Sequence, residues 1–317
     1  MQELSLKLPD NQTVIAVALS GGADSMALLH MLAQRDIQIH ALTVDHALRA
    51  DSADEAARIG AWVADWPGVK HTVLRWDGDK PVNGRMAAAR DARYALMADA
   101  CAQTGIRYLA VAHHADDQAE TFFMRLTRGS GLDGLASMRE MQAFDDRLTL
   151  WRPLLNAFSH DDLVAYCRAR DIPWVEDPTN VSPAFTRNRL RMVLKDEGLS
   201  DKRLGMTLRR LERASDTLRD LAQKLLERAR TDMQDDAWTF DLDLLRGEPF
   251  ELSLRVIRTS IDTLGATGTH GARLERVEEV AARILSADAP GALTLGGCVL
   301  RVTRQRQTLV IARENAS

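Results

Sequence analysis

Ser20-Gly21-Gly22-Ala23-Asp24-Ser25 stands between the apolar run Val14–Leu19 and a second apolar stretch, Met26–Leu32. A strand that passes through such a turn into a helix builds an anion site. The glycines let backbone approach a phosphate and turn N–H groups toward it, and the helix N-terminus adds a partial positive charge. Ser20 and Ser25 bring hydroxyl donors, and Asp24 is a hard oxygen ligand suited to a phosphate-bound magnesium ion. An ordinary strand-to-helix turn with an Asp cap uses some of the same residues, but the complete hexapeptide after an apolar strand is more specific. The lysine of a Walker loop is missing and the spacing is not that of a dinucleotide fingerprint, so a different ATP chemistry is expected.

A second cluster is Ala112-His113-His114-Ala115-Asp116-Asp117-Gln118-Ala119-Glu120-Thr121. On a helix Asp117 and Glu120 are three residues apart and share a face, so two carboxylates can converge on an ammonium group. A solvated acidic face has the same spacing. His113 and His114 close an apolar run, where a histidine can be structural or can stabilise charge and relay a proton. The same residues could hold a transition metal, although no remote Cys or His motif completes a zinc site. Arg93, with Arg90 a turn away, offers a guanidinium that binds phosphate bidentately. Arg128-Gly129-Ser130-Gly131 reads as a helix stop or as a substrate-facing loop. From Arg187 to Arg230 the chain carries thirteen basic residues against seven acidic ones. Such an excess suits a phosphate backbone, while a charged helix face is also a common solvated surface. Trp174 and Phe185 could stack on bases or belong to the core.

The elements that must position these groups alternate in the first half. Thr13–Leu19, Ile37–Val44, His71–Trp76 and Arg107–Ala112 read as strands separated by amphipathic stretches. Nearly continuous apolar strands such as VIAVAL suit a parallel sheet buried on both faces. The fold class expected is therefore α/β, a doubly wound parallel sheet, followed by a mostly helical C-terminal domain ending in a β-hairpin. Leu204, Leu208, Leu211, Leu218, Leu221 and Leu225 trace a long amphipathic helix. Helical patterns follow at Leu252–Leu264 and Ala272–Leu285, and Ala292–Arg313 alternates like a hairpin turning near Gln305. The boundary is placed at Gly198, giving domains 1–198 and 199–317.

The run SGGADS resembles the pyrophosphate loop of the ATP pyrophosphatase (PP-loop) superfamily, which splits ATP between the α- and β-phosphates. With Val44-Asp45-His46-Ala47-Leu48-Arg49, Ala92-Arg93-Tyr94, the His-His cluster, Arg128-Gly129-Ser130-Gly131, Arg152-Pro153-Leu154-Leu155, Trp174-Val175-Glu176-Asp177-Pro178-Thr179-Asn180 and Arg187-Asn188-Arg189, the set resembles the tRNA(Ile)-lysidine synthetase family over most of residues 13–191. That resemblance implies a Rossmann-like PP-loop domain and a ligase using ATP and Mg2+. The wobble cytidine of tRNA(Ile) with a CAU anticodon is adenylylated on O2, and L-lysine then displaces AMP at carbon 2. By the same resemblance Ser20, Gly21, Gly22, Ala23, Asp24 and Ser25 hold ATP, Asp24 serves the metal, and His113 and Arg93 lie near the phosphates or the activated base. The reaction needs an anionic recess, for which Asp117 and Glu120 are the lysine-binding candidates. Arg128, Arg187, Arg189, Arg203 and Arg210 are the tRNA candidates. Longer members carry a further C-terminal domain, and this chain is expected to resemble the short forms.

The 317 residues are enough for two or three domains, and 45% apolar with 27% charged residues is ordinary for a globular protein. The net charge of -4 hides the local basic stretch. No apolar run reaches bilayer length and no signal peptide is visible, so a cytoplasmic protein with no membrane partner is expected; a homodimer is compatible with the sequence. Cys101, Cys167 and Cys298 are far apart with no Cys-x-x-Cys pair, which argues against a structural zinc, a disulfide framework or a thiolase. An amide-forming synthetase of the same superfamily would want an ammonia-generating domain. A non-catalytic nucleotide-binding regulator would bind ATP without releasing pyrophosphate.

Overall fold

A computed structural model describes residues 8–9, 12–48, 51–78, 80–81, 84–176, 202–265, 273–289, 291–303, 305 and 307–314. Arg187, Arg189 and Phe185 lie outside the described residues, as do Arg49 and Asp177–Asn180. The chain divides into two compact units. Unit 1 is Met1–Arg125 with Ser137–Thr207, and unit 2 is Leu126–Ala136 with Leu208–Ser317.

In unit 1 the strands are β1 (Val14–Ala18), β2 (Gln38–Asp45), β3 (Val69–Arg75), β4 (Tyr108–Ala110), β5 (Met141–Ala143) and β6 (Thr149–Trp151). They form one sheet of order β3-β2-β1-β4-β6-β5. All pairs are parallel except β5 with β6. Three crossovers, through α1 (Ala23–Ala33), α2 (Ser52–Val63) and α3 (Arg85–Thr104), carry the chain to β3 on one side of β1 and then to β4 on the other. The strand order therefore reverses at the β1/β4 boundary, where doubly wound sheets bind ligands beyond the strand C-termini.

Sequence explains the layering. The central residues of β1, Ile15, Ala16 and Val17, are fully buried, and their alternate side chains serve two cores. On one face Ile15 and Val17 pack with Met26, Leu28, Leu29 and Leu32 of α1, Ile59 and Val63 of α2, and Leu163 and Cys167 of α6 (His160–Arg168). On the other, Ala16 and Leu42 pack with Tyr94, Met97, Ala98 and Cys101 of α3. A strand buried on both faces has no polar side to show, which is why VIAVA lacks alternation.

Unit 2 is built on a five-stranded antiparallel sheet of order β7-β8-β11-β10-β9, with β7 (Arg230–Met233), β8 (Ala237–Asp241), β9 (Ala292–Leu295), β10 (Cys298–Thr303) and β11 (Thr308–Arg313). The expected C-terminal hairpin is β10 and β11, paired from Cys298↔Arg313 to Thr303↔Thr308. It is extended by β9 on one side and by β8 with β7 on the other. The short polar β7 leaves no apolar signature, and β8 buries only Trp238 and Phe240.

The helices here are α7 (Lys202–Ala229), which belongs to unit 2 from Leu208 on, α8 (Leu242–Gly247), α9 (Phe250–Leu264) and α10 (Leu274–Leu285). Along α7 a buried seam recurs every seven residues at Leu208, Ser215, Ala222 and Ala229, and Leu225 and Leu226 are buried beside it. Leu221 is 43% exposed, a correction to the leucine stripe, because it falls one residue short of that seam.

Candidate active site

The phosphate loop is shaped by backbone before any side chain is considered. Gly21 adopts φ +81, and a Cβ there would lie 2.4 Å from Cδ1 of Ile59. Only glycine satisfies both the left-handed conformation and the close approach. The Gly21 carbonyl accepts from the Val175 amide at 2.9 Å, giving the Trp174-Val175 motif a role in pinning the loop, while Trp174 packs against the core. Gly22 precedes α1 in an extended conformation with no side-chain cap, which leaves the helix N-terminus without a capping side chain of its own. Ser25 is buried. Its Oγ donates to Gly22 O at 3.0 Å and accepts from Ser20 N at 3.2 Å, so Ser25 braces the loop, whereas Ser20 is exposed at its edge.

Around the strand ends lies a cavity of about 520 Å³. Ser20, Asp24 and Ser25 line it beside Thr43, His46 and Leu48, and Arg93, Tyr94, Met97 and His113 line it too. The structure thus brings the phosphate loop, Arg93 and His113 to one space at the topological switch point. His46 is edge-on to Trp76 with ring centroids 6.0 Å apart. Asp45 holds the preceding turn by accepting from Ala47 N at 2.7 Å.

His113 and His114 have opposite characters. Burial lowers the His113 pKa to about 4; Asp117 opposes it, and Arg152, Arg90 and Arg93 add to the lowering. Its Nδ1 accepts from Arg152 Nε at 3.1 Å, which leaves the ring proton on Nε2. Burial also works against protonation of His114, but Asp24, Asp117 and Asp116 outweigh it and raise its pKa. Asp117 is a carboxylate with two structural tasks, accepting from His114 N at 3.1 Å at the start of α4 (Ala115–Leu126) and facing His114 Nε2 at 3.4 Å. Glu120 is 4% exposed on the same helix. Neither Asp117 nor Glu120 is among the described residues lining the cavity.

His160 carried no expectation from sequence, and it is part of this cluster. Its Nδ1 lies 2.8 Å from Asp24 Oδ1, and its backbone N–H reaches Asp116 Oδ2 at 2.8 Å. The signal available was Ser159-His160-Asp161-Asp162, a capping box that starts α6. Burial would raise the pKa of Asp24, yet the hydrogen bonds and charges of His114 and His160 hold it well below the usual carboxylate range. Asp24, His114 and His160 are the described His, Cys and acidic residues whose ligand atoms come close enough to share a metal ion. His113 and Glu120 are not in that group.

For magnesium the phosphate loop offers the Asp24 carboxylate, which lines the cavity, because Mg2+ takes oxygen ligands and commonly shares them between one carboxylate, phosphates and water. Among the remaining candidates, Arg128, Arg203 and Arg210 are exposed, the last two on α7. Gly129 follows α4 with φ +68 and donates to Leu126 O at 3.1 Å, so the Arg128-Gly129 pair does terminate the helix. Cys101, Cys167 and Cys298 are buried in three different apolar clusters.

A domain family described as a PP-loop domain matches residues 1–197, and the strand order and loop geometry agree with it. A solved structure, the U34-tRNA thiolase NcsA from Methanococcus maripaludis with its [4Fe-4S] cluster, superposes with a TM-score of 0.54 over 65% of this chain and 73% of that one, at 16% identity. At that identity the likeness is one of fold. The class these features define is a PP-loop ATP-binding domain. Curated relatives narrow it. A tRNA(Ile)-lysidine synthase from Bradyrhizobium diazoefficiens is 38% identical over 87% of this chain and 80% of that protein. One from Methylobacterium nodulans is 38% identical over 91% and 87%, and one from Wolbachia pipientis is 32% identical over 95% and 71%. The chain belongs to the tRNA(Ile)-lysidine synthase family.

Proposed function

We propose that this chain uses ATP to adenylylate O2 of the wobble cytidine in a CAU-anticodon tRNA(Ile) and then joins L-lysine to carbon 2 of that base. The observation that carries the reading is the shared cavity onto which the phosphate loop, Arg93 and His113 all open. In the first step cytidine O2 bonds to the α-phosphorus while pyrophosphate departs. In the second the lysine ε-amine bonds to carbon 2 and AMP leaves.

The loop from Ser20 to Ser25 receives the departing pyrophosphate through its amides and the positive end of α1. Bound at Asp24, Mg2+ would neutralise charge on the phosphate oxygens. Arg93 is assigned to the α-phosphate, where a permanent charge offsets the charge that builds during transfer. His113 is assigned as a neutral donor through Nε2–H, because a ring with its pKa at about 4 is a weak base near neutral pH. Asp117 and Glu120 are assigned to the lysine ammonium group. We assign catalysis to residues 1–198 and tRNA backbone binding to residues 199–317 together with Arg128, Arg187 and Arg189. Cytoplasmic action follows from where tRNA, ATP and free lysine meet. No described helix is long and apolar enough to cross a membrane.

Nucleoside mass spectrometry of a CAU-anticodon tRNA(Ile) transcript incubated with enzyme, ATP, Mg2+ and lysine tests the reading. The expected product is a cytidine heavier by lysine less water, with one AMP and one pyrophosphate formed per product. Pyrophosphate release without that product would assign the adenylylation to another acceptor.

A further inference from the structure

Three helix starts within unit 1 bring carboxylates and imidazoles together. Asp24 lies in the first turn of α1, Asp116 and Asp117 lie in the first turn of α4 directly after His114, and His160 opens α6. The capping box of Ser159 and Asp162 fixes where α6 begins and with it the backbone of His160. Asp24 stands between the two rings. Its Oδ1 is 2.8 Å from His160 Nδ1, and its Oδ2 is 3.6 Å from His114 Nε2. The ring centroids are 5.8 Å apart and the planes are inclined at 36°, and each ring presents a nitrogen to the same carboxylate.

Asp24, Asp116 and Asp117 concentrate negative charge around two imidazoles, and Asp117 Oδ2 also faces His114 Nε2 at 3.4 Å. The helix N-termini offset only part of it. Protons on the rings would supply the rest, and so would a divalent cation between neutral rings. The geometry around His114 distinguishes the two. This side chain is 2% exposed, and its Nδ1 is buried with no hydrogen bond among the described residues. Asp116 Oδ2 faces that nitrogen at 3.5 Å and is itself held by the His160 backbone N–H at 2.8 Å. A metal-bound histidine typically donates its second ring N–H to a carboxylate, which fixes its tautomer and orientation. With Nε2 on a metal, a slight tilt of the ring would bring Nδ1–H onto Asp116.

We propose that Asp24, His114 and His160 form a binding site for a borderline divalent cation of the Zn2+ class, held by an Asp24 oxygen, His114 Nε2 and His160 Nδ1. Ligand atoms of the three residues all lie within 4.8 Å of one another. Tetrahedral zinc with bonds of about 2.0–2.1 Å sets its ligand atoms about 3.3 Å apart. That spacing falls between the two separations made by Asp24. Three protein ligands leave a fourth position for water, as in open zinc sites. The site shares Asp24 with the magnesium assigned above and differs from it in the two nitrogens, which suit Zn2+ and are poor ligands for Mg2+. Entry is from the side of His160, whose side chain is 40% exposed. Binding of this cation needs neither ATP nor tRNA.

Full-length protein stripped with a chelator and titrated with Zn2+ alone, against a chromophoric chelator, should take up one ion per chain at this site near neutral pH. Mg2+ in about hundredfold excess should not displace it. His160→Gln and Asp24→Asn should each weaken uptake about tenfold or more, with circular dichroism parental. In the parental protein, the imidazole NMR signals of His114 and His160 should change on Zn2+ addition while those of His30 and His71 stay in place, a readout independent of how any variant folds. Absence of uptake would leave protons as the only balance for the carboxylates and overturn the site. Displacement by Mg2+ would overturn the nitrogen ligands. Unchanged uptake in the folded variants, or unmoved His114 and His160 signals, would place the ion elsewhere and sink the proposal.

Discussion

Arg152 donates its Nε–H to Nδ1 of His113 across 3.1 Å, so a permanent cation sets the tautomer of the histidine at the cavity wall. The bond makes His113 a donor through Nε2 and discourages a second proton on the ring.

An imidazole NMR titration should find His113 neutral down to about pH 4, the value to which burial and its arginine neighbours push it. The unfolded chain takes up a proton on this side chain near the ordinary value of 6.5 while the folded chain does not. Stability should therefore fall as pH drops from 6.5 to about 4 and level off below. His113→Gln should flatten that slope when unfolding is followed at several pH values. A His113 resonance titrating near 6.5 would remove the basis for its role as a neutral donor.

Asp24→Ala should lower ATP-dependent pyrophosphate release on the order of 100-fold, with Ser20→Ala less severe, while circular dichroism stays parental. Ser20 is exposed and Asp24 half-buried at the cavity, so neither change opens a void in the core. Parental rates in both variants would mean that the loop holds something other than the reacting phosphates.

Glu120→Gln and Asp117→Asn are expected to raise the KM for lysine about tenfold or more, with the KM for ATP little changed. The asparagine amide oxygen can still accept from His114 N, as Asp117 does at 3.1 Å, which protects the start of α4. Steady-state titration of each substrate separately is the check. Equal losses for ATP and lysine would point to a role at the phosphates.

The exposed Arg203 and Arg210 are seven residues apart on α7 and so share a face. Replacing both with glutamine should weaken tRNA binding and flatten its salt dependence by about 0.7–0.9 log unit for each phosphate that is no longer neutralised. ATP affinity should be unaffected. Binding isotherms over a salt series measure this, and an unchanged slope would leave these arginines as solvating groups.

Much of unit 1 could be read from local signals. Ile15, Ala16 and Val17 announce a strand buried on both faces, and Gly21-Gly22 announce the turn that follows, because both features are properties of a few consecutive residues. That Arg93 and His113 lie near the phosphates was what the family resemblance implied, and both line the cavity beside the phosphate loop. His160 was not legible, since its importance comes from Asp116 and Asp24, residues far off in sequence that α4 and α1 carry to it. The strands β7 and β8 escaped because Thr231, Asp232 and Met233 are exposed and only tertiary pairing reveals them. Asp133, in the short helix α5 (Leu132–Leu135), carried no expectation from sequence. Nothing near it in sequence foretells the hydrogen bonds it accepts from Ser215 and Arg255.

Burial pushes the thiol of Cys101 up to about 12 and that of Cys167 up to about 11, and it raises Cys298 as well. Near neutral pH these sulfurs are almost wholly protonated and shielded, and the thiolate is the form that alkylating reagents capture. The native chain thus offers a silent background for labelling chemistry. A single cysteine introduced at an exposed methionine, Met86 in unit 1 or Met233 in unit 2, would be the one reactive handle. Either handle alone would carry a dye that reports on the surroundings of its own unit, without first removing any native thiol.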